Sequence, residues 1–68
     1  MNDDNFNMSI RKFLKMVGVH SQHEIEQAIA KAIASGQLQG NETVQAKMTL
    51  TIGQASLNIS FDGAISLE

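Results

Sequence analysis

The sequence predicts an α+β fold, with two N-terminal helices packed on a C-terminal three-stranded antiparallel sheet in the order ααβββ, as one small domain over residues 1–68. Three observations predict it. Apolar residues recur every three or four positions through the first half of the chain. They alternate at every second position from Val44 onward, and the change of period falls at the glycine-bounded segment Gly36 to Gly40.

Helix one is predicted over Asp4 to Val17. Asp3, Asp4 and Asn5 offer side chains for the N-cap, Phe6, Ile10, Phe13, Leu14 and Val17 share one face, and Gly18 supplies the stop. Helix two is predicted to start at Ser21, because Ser21-Gln22-His23-Glu24 has the form of a capping box. The serine oxygen can accept the amide of Glu24 while that carboxylate reaches back to the amide of Ser21. Its apolar face is Ile25, Ala28, Ile29, Ala32 and Ile33, and Gly36 after Ser35 provides a left-handed end.

The first strand carries Val44, Ala46, Met48, Leu50 and Ile52 on one face and Gln45, Lys47, Thr49 and Thr51 on the other. Gly53-Gln54 matches a two-residue turn that pairs Ile52 with Ala55 and Leu50 with Leu57. The second strand then runs from Ala55 to Phe61 with Leu57, Ile59 and Phe61 inward. Asp62-Gly63 signals a second hairpin into a last strand over Ala64 to Leu67. A two-residue loop there would set Ile59 against Ser66, so a bulge or a three-residue loop is expected to restore Phe61 against Ile65, the alternative being that Ile65 and Leu67 turn outward under a second subunit. Leu67 continues the alternation and is kept, with Glu68, as part of the native chain.

A folded monomer of this length buries only about 60% of the surface of its unfolded chain, so small domains lean on disulfides, metals or association. With no cysteine and two histidines, neither a disulfide framework nor a thiolate zinc site can form, which leaves self-association. The formal charge of -2 and pI near 5.5 do not suggest a polyanion binder on bulk electrostatics. Met1 to Asn5 is acidic where a signal peptide is basic, and no apolar run approaches the roughly 20 residues of a membrane span. The expectation is a cytoplasmic protein without a membrane partner. The N-x-[ST] triplets at Asn7, Asn41 and Asn58 carry no weight in that compartment.

Phe6 to Lys15, Val17-Gly18-Val19, Ser21-Gln22, Glu24-Ile25-Glu26, the linker Ser35 to Thr43 and Leu50-Thr51-Ile52-Gly53 together resemble a family of short bacterial proteins known only as a domain of unknown function. The resemblance spans nearly the whole chain. It implies a free-standing bacterial protein of this size and brings no activity, cofactor or catalytic residue with it.

The residues themselves point away from catalysis. His23-Glu24-Ile25-Glu26-Gln27 begins like a zinc-protease helix but has glutamine where the second histidine must stand. His20 and His23 with Glu24 or Glu26 could make only a weak surface metal site, and at a helix start an imidazolium would be opposed by the macrodipole. None of the six serines lies in a nucleophile elbow, and Ser21 is accounted for as a cap. Gly36 and Gly40 frame no phosphate loop, since Asn41 occupies the lysine position. No enzyme activity, cofactor or metal is expected.

Two surfaces remain. Arg11, Lys12 and Lys15 hold three of the five positive charges and cluster with Met8 on the side of helix one opposite Phe6, Ile10 and Phe13. They are expected to solvate that face and complement the helix C-terminus, the alternative being a contact surface for an acidic partner or a phosphate backbone with Met8 as an adaptable apolar contact. The order from Gly18-Val19 through Ser21, Ile25 and Ile29 to a hairpin is similar to the turn, recognition helix and wing of winged-helix proteins, with Gln22, His23, Gln27 and Lys31 exposed for reading bases. His20 is an extra residue in that turn, no earlier helix completes the bundle, and Glu24 and Glu26 would repel phosphates. The favoured expectation is a non-enzymatic binding or adaptor module that forms a homodimer and contacts an unidentified protein partner, because a marginal core and a sheet edge without proline invite a second chain. Nucleic-acid binding through a winged helix is the alternative.

Overall fold

The computed structural model of the protein describes residues 1–68 as two compact units, Met1–Gln37 and Leu38–Glu68. The first unit is a single helix, α1, over Asp3–Ala34. At 1.5 Å per residue its 32 residues span about 48 Å. The cap is Asn2, one position before the predicted candidates. Its backbone is extended, its side-chain oxygen accepts the Asn5 amide at 3.0 Å, and its carbonyl accepts the Phe6 amide at 2.9 Å. Asp3 and Asp4 then lie in the first turn, where the positive helix end favours them. At the other end the Ser35 amide donates to the Lys31 carbonyl at 3.0 Å. Its hydroxyl donates to the Ala32 carbonyl at 3.1 Å, and the amide of Gly36, left-handed at φ +84, donates to Ile33 at 3.2 Å.

The two predicted helices are therefore one. Glycine inside a helix costs about 1 kcal/mol relative to alanine, a penalty and not a block, and the chain contains no proline to stop the helix. Gly18 stays out of the left-handed region, which only Gly36 and Gly40 adopt among the glycines. Continuing through Gly18 to Gln22 gives every amide there an acceptor four residues back, which a turn would have had to supply separately. Ser21 and Glu24 consequently lie inside α1, and the capping box does not form.

The second unit opens with a turn held by one carboxylate. Glu42 accepts the Gln39 amide at 2.8 and 3.1 Å through its two oxygens and the Gly40 amide at 2.9 Å, with Gly40 at φ +104, where a side chain would be strained. These bonds, first from Gln39 and then from Gly40, hold the Glu42 carboxyl below its ordinary value of 4.5. A folded-state value below the unfolded one stabilises fully above the ordinary glutamate range and loses that stabilisation as pH falls through the lower, folded value. Acid unfolding of Glu42→Gln, followed by circular dichroism, should therefore be less steep below pH 4.5 than that of the parent. Identical acid limbs would show that this turn contributes nothing to pH dependence.

Strands β1 (Thr43–Ile52) and β2 (Leu57–Ser66) form an antiparallel hairpin, in register from Thr43 with Ser66 to Ile52 with Leu57. The Leu67 amide extends the ladder to the Glu42 carbonyl at 2.9 Å. The predicted third strand is absent. Asp62-Gly63 makes no turn: Asp62 pairs with Lys47, Gly63 with Ala46, and Ile65 with Val44 instead of Phe61. No bulge is needed, because straight continuation keeps Leu57, Ile59, Phe61, Ile65 and Leu67 at alternate positions, and the phase conflict arose only from the supposed turn. The first turn also differs. Gly53 to Ser56 makes a four-residue connection through a 3₁₀ turn, Gly53–Ala55, which sets Leu50 against Ile59 and not Leu57. The slip is two residues, so every side chain keeps its predicted face.

Ser56 closes that turn at φ 54, the one non-glycine residue with positive φ. Ser56→Gly should raise stability by about 0.5–1 kcal/mol, the left-handed strain removed less the chain freedom glycine adds to the unfolded state. Thermal denaturation measures it, and a lowered midpoint would show that Ser56 is held by interactions that outweigh its strain.

Candidate interaction surface

No residue of the chain is buried. Phe6, Leu14 and Phe61 are each at least half exposed, at 50%, 54% and 55%. The apolar pattern of the sequence is present on the surface of each unit.

On α1 the pattern is more regular than two separate helices would give. Phe6, Ile10, Leu14, Val17, Ser21, Ile25, Ala28 and Ala32 follow one another at steps of four, four and three, repeated. With each residue advancing about 100°, all eight fall within an arc of about 100°, a straight seam about 39 Å long. Val17, Ser21 and Ala32 of this seam are among the least exposed residues of the helix, shielded by their own neighbours. Sequence reasoning missed the seam as a unit because Gly18 and Ser21 were assigned to a stop and a cap. The signal was the eleven-residue spacing of Phe6, Val17 and Ala28, and of Ile10, Ser21 and Ala32.

Met8, Arg11, Lys12 and Lys15 fall within an arc of about 100° on the part of α1 outside the seam, with Met16 and Val19 beside them. Met8, Met16 and Val19 are 59%, 50% and 59% exposed. Gln22, His23, Gln27 and Lys31, the residues of the supposed recognition helix, lie in the exposed C-terminal half of the same continuous helix. His23, Gln27 and Lys31 recur at steps of four along one side of it, and Gln22 lies about 100° away from His23. The turn that would make the segment a winged helix does not exist. His20 and His23 stand about one turn apart on α1, and no three His, Cys, Asp or Glu side chains come together to hold a metal ion. No helix is long and apolar enough to cross a membrane.

The hairpin has one apolar and one polar face. Cross-strand pairs on the first are Val44 with Ile65, Met48 with Phe61, Leu50 with Ile59 and Ile52 with Leu57. On the second, Lys47 faces Asp62, Gln45 faces Ala64, and the hydroxyls of Thr49 and Ser60 share a hydrogen bond of 3.1 Å. Gly63 on the apolar face leaves space over Ala46, since a Cβ there would meet nothing within 4 Å.

Comparison with curated proteins and with solved structures finds no match. A family model does match, over residues 1–68: the protein belongs to DUF6494, a family of unknown function.

Proposed function

We propose that the protein is a non-enzymatic interaction module that completes its core by self-association, in its simplest form as a homodimer, and that presents the opposite side of α1 to a protein partner. The observation that carries this is an ordered apolar face on each unit taken by itself, the seam on α1 and one side of the hairpin. A lone two-stranded hairpin is marginal in water, and an isolated helix owes most of its stability in proteins to the packing of an apolar face. A second copy supplies both coverings with no further component.

Met8, Arg11, Lys12 and Lys15 lie across the helix from the seam, so an assembly built on the seam leaves them free for an acidic protein surface, with Met8 as an adaptable apolar contact. Nucleic acid is the weaker occupant. Only Lys31 adds positive charge in the C-terminal half of α1, where Glu24 and Glu26 oppose phosphates.

Sedimentation equilibrium at tens of micromolar tests the association. A mass of two or more chains is expected. A monomeric mass with a cooperative melting transition would mean that one chain covers its own apolar faces, and would overturn the proposal. Replacing Arg11, Lys12 and Lys15 together by glutamine should leave the mass unchanged, whereas its loss would place the basic face inside the assembly.

A further inference from the structure

We infer that α1 pairs with α1 of a second copy in antiparallel orientation, about a two-fold axis at the level of Val19. This rests on the self-association proposed above and fixes its geometry. The first support is the size gradient along the seam. Its N-terminal part is Phe6, Ile10 and Leu14, and its C-terminal part ends in Ala28 and Ala32. An axis at residue 19 sets Phe6 of one copy against Ala32 of the other, Ile10 against Ala28 and Val17 against Ser21, with Leu14 and Ile25 within one residue of the same level. Large side chains then meet small ones at both ends, where Phe6 faces Ala32 and Ile10 faces Ala28, so the two ends share one interaxial distance. A parallel pair would set phenylalanine on phenylalanine at one end and alanine on alanine at the other. Interaxial distances follow the contact side chains over about 8–10 Å, so those helices would have to splay or leave voids.

The second support is charge. The antiparallel axis brings the acidic start at Asp3 and Asp4 of one copy to the end of the other helix that carries Lys31. Parallel pairing would set that acidic start against its own copy and align both macrodipoles with each other. The third support is the repeat itself. Steps of four, four and three average close to the natural turn of the helix, so the seam does not wind around it and two straight helices can meet along their full length.

The chain has no cysteine, so disulfide trapping reads the orientation directly. Full-length Phe6→Cys and Ala32→Cys chains are mixed in equal amounts in a glutathione buffer, and the linked products are separated by mass. Antiparallel pairing should give the mixed disulfide in about tenfold excess over the two symmetric ones, since exchange selects the pair whose Cα atoms lie within bridging distance. Symmetric disulfides in the majority would overturn the inference in favour of parallel pairing. A dimeric mass with no cross-link of any kind would overturn it by placing the interface off the seam. A monomeric mass for the parent chain would instead sink the association beneath it, so the two failures are distinguishable. Circular dichroism shows whether each variant remains helical. If Phe6→Cys does not, Ile10→Cys mixed with Ala28→Cys asks the same question with a smaller loss of apolar surface.

Discussion

Val17→Asp is expected to leave a chain that neither associates nor folds at micromolar concentration. Val17 occupies the middle of the seam, with Leu14 and Ser21 as its neighbours along it, and it is already partly shielded within its own helix. Covered by a second copy, an aspartate there would be a buried charge without a partner, a defect that costs about 3–5 kcal/mol. A two-fold assembly contains the substitution twice. Small proteins have about 5–15 kcal/mol of stability in total, so two such defects remove most of it. Lys12→Asp, a change of comparable chemistry on the opposite face, should leave both mass and helicity nearly as they were. Sedimentation equilibrium and far-ultraviolet circular dichroism on the same samples separate the two. A Val17→Asp chain that keeps the parent mass would remove the seam from the interface and the central proposal with it.

The sequence was informative where one periodicity dominates and misleading where a local signal competes with it. The faces of the hairpin were readable because alternation is strict: a register slip of two residues at Gly53 to Ser56 left every side chain on its predicted side. The end of the helix was readable too, since Gly36 takes the left-handed conformation expected after Ser35. The errors came from punctuation. Gly18 was read as a stop, Ser21 as a cap and Asp62-Gly63 as a turn, each a sound local preference worth about 1 kcal/mol. An uninterrupted helix or ladder outweighs that preference by pairing several backbone groups at once. In both places the longer-range pattern already opposed the local one. The eleven-residue repeat of α1 runs through Gly18, and the apolar alternation of β2 runs through Gly63 to Ile65 and Leu67. The basic patch at Met8, Arg11, Lys12 and Lys15 lies within one half of the helix, so joining the two predicted helices does not move its residues relative to one another. The supposed recognition helix depended on a turn that the continuous helix does not contain.

Gly18 is where these views of the chain make opposite predictions. In an unbroken helix Gly18→Ala removes the freedom that glycine has in the unfolded state and adds a methyl group that meets nothing within 4 Å. It should stabilise by about 1 kcal/mol, which for a chain of this size corresponds to a rise of several degrees in the melting midpoint. Gly18→Pro should do the reverse on a larger scale. It deletes the amide that pairs with the Leu14 carbonyl and drives the ring into that turn, at a cost of about 3 kcal/mol or more. The kink would also divide the seam between Val17 and Ser21, so association and helicity should fall together. If the helix stopped at Val17, with Gly18 as a left-handed end, alanine would be strained there and would lower the midpoint. The sign of the alanine variant, read from a thermal melt at fixed protein concentration, therefore decides between one helix and two, because strain at a stop and entropy in a helix interior act on the same methyl group in opposite directions.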